Sequence, residues 1–109
     1  MSCRQVNVGI IGLGTVGTGV ARILLEQKEL LKTRTSLDFN LKTIAELDWN
    51  KDRDLDLSHV NCTTNADTLL EDPEINIVVE TIGGYEPAFS FISKALRNGK
   101  HVVTANKAL

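Results

Sequence analysis

A β-rich run, Val6-Asn-Val-Gly-Ile-Ile11, leads into glycines at 12, 14, 17 and 19, and a helical pattern follows. No other feature restricts the fold as much. The run is apolar on both faces, as a strand covered on both sides is. The spacing Gly12-x-Gly14-x-x-Gly17 therefore falls at the turn from a strand into a helix, the context in which it holds a diphosphate. Gly12 permits the tight turn. Gly14 has no Cβ, so a pyrophosphate can approach the backbone, and Gly17 lets the helix pack on the sheet. N–H groups and dipole at the helix start favour the negative charge. No Gly-Lys-Ser/Thr follows, which excludes a P-loop.

Val16, Val20, Ile23, Leu24, Gln27, Leu30 and Leu31 fall near one stripe and predict one long helix. Residues 33–40 are polar and turn-like. Leu41 to Leu47 reads as a second strand, with Asp48 at its end. The Asp-rich stretch 49–61 reads as surface loop. Residues 62–64 suggest a short edge strand, and Asn65 an N-cap for a helix over 66–70. Ile75 to Thr81 is the most β-like run. Gly83-Gly84 breaks it, and Pro87 sits where a helix can begin. Ala88, Phe89, Ile92, Ala95 and Leu96 predict that helix's buried stripe, with Gly99 as its stop. His101 to Ala105 is another strand. Strands alternating with helices predict an α/β fold of Rossmann type: a doubly wound, mainly parallel sheet with helices on both faces, formed by residues 1–109 as one domain.

The apolar fraction of 42% suits a globular core. A net charge of −2 gives no sign of a nucleic-acid surface. No apolar run approaches the ~20 residues of a membrane helix. The N-terminus lacks a signal-peptide pattern. Cys3 and Cys62 make no disulfide framework; they read as reduced thiols, Cys62 partly buried, and the cytoplasm is the expected location.

A dinucleotide site needs an acidic residue at the end of the second strand, for the ribose hydroxyls. Glu46 and Asp48 are the candidates, and Asp48 is preferred. The ends of later strands should also face the cofactor, which brings in Thr81, Gly83 and Gly84, then Thr104, Ala105, Asn106 and Lys107. By position, the Lys107 ammonium could polarise a carbonyl, hold a carboxylate, or simply be exposed.

Three blocks carry a family resemblance: Val8-Gly-Ile-Ile-Gly-Leu-Gly-Thr-Val-Gly17, Glu80-Thr-Ile-Gly-Gly84 with Glu86-Pro-Ala88, and Gly99-Lys-His-Val-Val-Thr-Ala-Asn-Lys-Ala-Leu109. They resemble homoserine dehydrogenase, the last block most specifically. The resemblance implies NAD(P)-dependent interconversion of L-homoserine and L-aspartate 4-semialdehyde, on the route to threonine, methionine and isoleucine. It implies pyrophosphate contacts at Gly12, Gly14 and Gly17, with backbone help from Thr15 and Val16. It places Thr81 to Gly84 and Thr104 to Asn106 along the ribose and nicotinamide, and Lys107 at the reaction centre.

Many family members carry an Arg just before the Asp at the end of the second strand, where it meets the 2′-phosphate of NADP. Here that residue is Leu47, between Glu46 and Asp48, so NAD is the expected cofactor over NADP. The family's amino-acid substrate site, its further catalytic residues and its metal site would lie beyond Leu109. No metal ligand is assigned within this sequence. A fragment that binds cofactor without turnover is therefore expected, with exposed apolar surface and hence a homo-oligomer. The start at Met1, close to the first strand, argues against an aspartate kinase fused in front. Two other readings remain open: another small-molecule dehydrogenase, of aspartate dehydrogenase or sugar oxidoreductase type, and a non-enzymatic NAD(H) sensor. The block Val103 to Lys107 separates the first from the family, and a sensor needs no lysine at the hydride end.

Overall fold

The computed structural model describes residues 4–105. Asn106, Lys107 and Cys3 lie outside them. In chain order the elements are β1 (Arg4–Ile11), α1 (Thr15–Glu26), α2 (Lys28–Thr35), β2 (Leu37–Ala45), β3 (Asn61–Thr63), α3 (Ala66–Leu70), β4 (Ile77–Glu80), α4 (Ala88–Arg97) and β5 (His101–Thr104). Among these residues the sheet is all parallel, ordered β3-β2-β1-β4-β5. The strand order reverses beside β1, and a doubly wound sheet opens its ligand crevice at such a switch point.

The two faces have separate cores. Val8, Ile10, Leu41, Ile44 and Val79 pack against Ala21, Val20 and Leu24 of α1. On the other face Ile11, Ala45 and Val78 pack against Leu69 and Leu70 of α3 and Ala95 and Phe91 of α4. A register shift between Val8 and Gly9 skips Lys42, so Leu41 and Ile44 reach the same face. On the α3 face a Cβ on Gly9 would lie 2.5 Å from the Leu69 side chain. Glycine there lets the helix rest directly on β1.

Several local expectations need correction. The long helix breaks at Gln27, whose N–H still bonds the Ile23 carbonyl while its own carbonyl accepts from Leu31. The stripe of α1 is rotated from the expected one. Gly17 and Ala21 are buried, whereas Val16, Ile23 and Leu30 are about half exposed. Small residues allow the closest approach to the sheet, and they outcompete the larger apolar positions. In α4, likewise, Ala88 and Ala95 are buried, but Phe89 and Leu96 are exposed. Phe89 stacks on Tyr85 instead, with centroids 5.1 Å apart.

Residues 33–40 are not a turn: 33–35 finish α2 and 37–40 begin β2. The single reversal is Ser36, at φ 60°. Cys62 is exposed, because β3 is a three-residue edge strand with no cover on that side. The expected caps are present. The Asn65 side chain accepts from the Asp67 N–H at 3.0 Å, and Gly99 ends α4 with φ 78°.

Candidate functional site

The C-terminal ends of β1, β2 and β4 converge on the glycine turn. Gly12 has φ 95°, a left-handed conformation that strains other residues. A Cβ on Gly17 would lie 2.1 Å from the Gly12 carbonyl oxygen, so only glycine lets α1 start this close to the turn. Gly14 differs: nothing lies within 4 Å of a Cβ built there. It is the N-cap of α1, no side chain caps that helix, and its first turn holds no acidic residue. Uncapped N–H groups beside open space form an anion-binding end. Thr15 and Val16 are exposed at that end.

Side chains from the neighbouring strands brace the turn. The Thr81 hydroxyl donates to the Gly12 carbonyl at 2.9 Å. The Thr18 hydroxyl donates to the Leu13 carbonyl at 3.2 Å. The Leu13 N–H donates to Glu46 Oε2 at 2.6 Å. Arg53 Nε donates to the Leu13 carbonyl at 2.8 Å, and its Nη2 to the Asp48 carbonyl at 2.7 Å. Arg53 Nη2 also lies 3.5 Å from Glu46 Oε2, and its guanidinium sits 5.8 Å from the Trp49 ring. Thr81 therefore aims at the backbone of the turn rather than at the open space beside it.

Two cavities flank the turn, one on each side of the β2 end. The first, of about 420 Å³, is lined mainly by polar and charged residues, among them Thr15, Asp48, Lys51, Asp52 and Arg53, with Gly14. The second, of about 230 Å³, is mainly apolar and includes Gly12, Leu47, Thr64, Ile82, Pro87 and Phe91. Glu46 is the residue common to both. A nucleoside with its base in the apolar cavity and its ribose at the rim would meet Glu46 first. Asp48 is exposed, and its Oδ1 accepts from the Asn50 N–H at 3.0 Å in its own turn. β2 ends at Ala45 rather than Leu47. The residue at the strand end is thus Glu46, two places before the expected Asp48.

Toward the other end of the site, Gly83 and Gly84 take φ 79° and 73°. They are exposed, as are Thr104 and Ala105 at the end of β5. β4 and β5 pair through Glu80 and Thr104, which brings these two segments side by side. Asn106 and Lys107 fall outside the described residues.

Sequence reasoning did not pick out Arg53, Pro87 or Phe91 as lining residues. A lone arginine in a charged loop carries no periodic signal, and apolar residues in the first turn of a helix look like core. Among the described residues no cluster of three His, Cys, Asp or Glu side chains could hold a metal ion. Nor is any helix among them long and apolar enough to cross a membrane.

Comparisons with known proteins agree with this geometry. Residues 12–109 match the family described as "Homoserine dehydrogenase, NAD binding domain". The homoserine dehydrogenase of Bacillus subtilis is 38% identical over 106 residues, covering 97% of this chain and 24% of that protein. A crystal structure of S. aureus homoserine dehydrogenase superposes with a TM-score of 0.89 at 37% identity, covering 98% of this chain and 27% of that one. The homoserine dehydrogenase of Thiobacillus denitrificans gives a TM-score of 0.87 at 40% identity, over 97% of this chain and 24% of that one. The chain thus spans about a quarter of the length of these relatives. With the glycine turn, the switch point and these relatives in agreement, the chain belongs to the family of homoserine dehydrogenase NAD-binding domains.

Proposed function

We propose that this chain forms the cofactor-binding part of an enzyme that interconverts L-homoserine and L-aspartate 4-semialdehyde, the remainder of which supplies the amino-acid substrate site. The observation that carries the reading is the contrast among the glycines. Gly12 and Gly17 are locked by geometry, while Gly14 faces open space at an uncapped helix start. A diphosphate fits that combination.

The bound dinucleotide supplies the hydride acceptor or donor. The protein's part is to bind and orient it. Gly14, Thr15, Val16 and Gly17 present main-chain N–H groups to the diphosphate. The apolar cavity takes the adenine, and the Glu46 carboxylate takes the ribose hydroxyls, with Asp48 further out on the same rim. Gly83, Gly84, Thr104, Ala105 and Asn106 lie along the nicotinamide half. Lys107 carries the charge at the reacting carbon.

NAD is the preferred cofactor in this reading. Glu46, Asp48 and Asp52 share the polar cavity with Lys51 and Arg53. The Arg53 donors are turned to the carbonyls of Leu13, Asp48 and Lys51. A 2′-phosphate would enter against three carboxylates, whereas a free 2′-hydroxyl can donate to one of them. The reading also includes a cytoplasmic location and a homo-oligomer, the latter resting on exposed Tyr85, Phe89, Leu96 and Val103.

Calorimetric titration of the chain with NAD⁺ and, separately, NADP⁺ tests the proposal. Saturable binding with NAD⁺ the tighter ligand is expected. Tighter NADP⁺ binding would overturn the preference, and no binding of either by a folded sample would overturn the site.

A further inference from the structure

Glu80 is fully buried at the end of β4. A buried carboxylate is costly unless its oxygens are satisfied, and an apolar side chain would fill the same space without partners. Here both oxygens are engaged, by two different segments. Glu80 Oε2 accepts from the Ile82 N–H at 2.8 Å and the Gly83 N–H at 3.3 Å. Glu80 Oε1 accepts from the Thr104 hydroxyl at 2.5 Å. The main chain adds a fourth bond, from the Ala105 N–H to the Glu80 carbonyl at 3.3 Å. One residue therefore ties the turn after β4 to the end of β5. Gly83 and Gly84, both left-handed, have no Cβ of their own with which to pack that turn.

We propose that Glu80 is a positioning residue for the nicotinamide half of the dinucleotide, its carboxylate fixing the 82–83 turn and Thr104 as one unit. This rests on the reading that the cofactor binds here. Glu80 touches no ligand in this scheme; it acts through the segments it holds. The adenosine half leans instead on the glycine turn, Glu46 and the apolar cavity, which are braced by Thr81 and Arg53. Glu80→Gln keeps one oxygen and replaces the other by an NH2 group that cannot accept, so the 82–83 turn and the Thr104 hydroxyl can no longer both donate to this side chain.

The test compares NAD⁺ with ADP, which lacks the nicotinamide half, by calorimetric titration of the wild-type chain and of Glu80→Gln, Thr104→Val, the double variant and Thr104→Ser. Circular dichroism checks folding in each. NAD⁺ binding should weaken about tenfold in Glu80→Gln and in Thr104→Val, with ADP affinity changing less than about twofold. The double variant should be no weaker than Glu80→Gln alone, and Thr104→Ser, which keeps the hydroxyl that donates to Glu80, should recover most of the affinity that Thr104→Val loses. Equal losses for NAD⁺ and ADP, additive losses in the double variant, or unchanged NAD⁺ affinity would each overturn the proposal. If Glu80→Gln does not fold, Thr104→Val against Thr104→Ser decides it by the same NAD⁺ and ADP comparison. A wild-type chain that binds neither ligand overturns the cofactor reading and this inference together. Normal wild-type binding with unaffected variants overturns only this inference.

Discussion

Three glycine-to-alanine substitutions near the start of α1 should separate into three outcomes. In Gly17→Ala the new Cβ would stand 2.1 Å from the Gly12 carbonyl oxygen and 2.8 Å from Thr81 Oγ1. The closest ordinary carbon–oxygen approach is roughly 3.3 Å, so turn and helix must separate by about 1 Å. The obstacle is backbone, which cannot rotate away as a side chain can. Overpacking of this kind costs about 3 kcal/mol, and the gain in helix propensity returns about 1 kcal/mol. A net loss of about 2 kcal/mol lowers the Tm of a domain this size by roughly 8–16 °C. Gly19→Ala meets nothing within 4 Å on the same helix. It should gain up to about 1 kcal/mol, raising Tm by roughly 4–8 °C. Gly14→Ala also meets nothing within 4 Å, and its φ of −81° suits alanine. Its stability should fall by only about 0.5 kcal/mol, the difference between Gly and Ala at an N-cap. Its NAD⁺ affinity should nevertheless collapse, because the methyl group occupies the diphosphate's space. Thermal unfolding and NAD⁺ titration of all three would show this. Gly17→Ala melting at or above wild type, or Gly14→Ala binding NAD⁺ normally, would refute the geometric reasoning.

Arg53→Met should lower stability by about 2–4 kcal/mol, since it strips charged donors from the carbonyls of Leu13, Asp48 and Lys51; chemical denaturation measures this, and an unchanged midpoint would show that the 48–57 loop holds itself. The Lys42 ammonium, hydrogen-bonded at 2.6 Å, holds the Asp72 carboxyl below its usual range. A depressed carboxyl contributes stability above its unfolded pKa of about 3.9 and loses it as pH falls through the folded value. Between pH 5 and 2 the Tm of wild type should therefore fall more steeply than that of Asp72→Asn, and parallel curves would remove the bridge from the account. Light scattering should give a mass that rises with concentration, and Phe89→Ser should reduce the rise; a monomer mass at all concentrations would show that the exposed Tyr85–Phe89 stack joins nothing.

The fold was legible because its period signals are strong. Strand, glycine turn and helix follow one another without interruption from Val6, and β4 carries the apolar run Ile77-Val78-Val79. What misled was the assumption that large apolar residues mark the buried face. Gly17, Ala21, Ala88 and Ala95 are the buried helix residues, because closeness to the sheet favours small side chains over Ile23 or Phe89, while Val20 and Leu24 of the expected stripe do pack on the core. In the proposed reading, the choice between Glu46 and Asp48 for the ribose rests on a strand boundary. Reading β2 to Leu47 put Asp48 at its end, whereas the ladder stops at Ala45, paired with Thr63. Nothing in Ala45-Glu-Leu-Asp48 marks that stop, which comes where the pairings with both neighbours end, at Ile11 of β1 and Thr63 of β3. Arg53 was illegible for a different reason. Its hydrogen bonds go to backbone carbonyls, and Glu46, the carboxylate 3.5 Å away, lies in another segment with no spacing that links the two in the sequence. Glu80 differs: its bonds to the Ile82 and Gly83 N–H groups are local, but its third partner, the Thr104 hydroxyl, is 24 residues away and comes within reach only through the pairing of β4 with β5.

A dinucleotide pays less to bind where the receiving backbone is already fixed, and this turn is fixed from several directions. Thr81 of the β4 end holds the Gly12 carbonyl. Glu46 of the β2 end holds the Leu13 N–H, and Arg53 with Thr18 holds the Leu13 carbonyl. Each brace comes from a segment that the sheet topology brings to the switch point beside β1. The N-terminus of α1 stands apart, with no side-chain cap and no acid in its first turn. A merely structural turn would gain about 0.3 kcal/mol from a Ser, Thr or Asp at that cap, together with a side-chain acceptor for its free N–H groups. Glycine at 14 forgoes that stabilisation and leaves the space open. The trade is reasonable only if a ligand supplies the missing negative charge, which is why the uncapped helix start and the braced turn belong to one argument for a diphosphate.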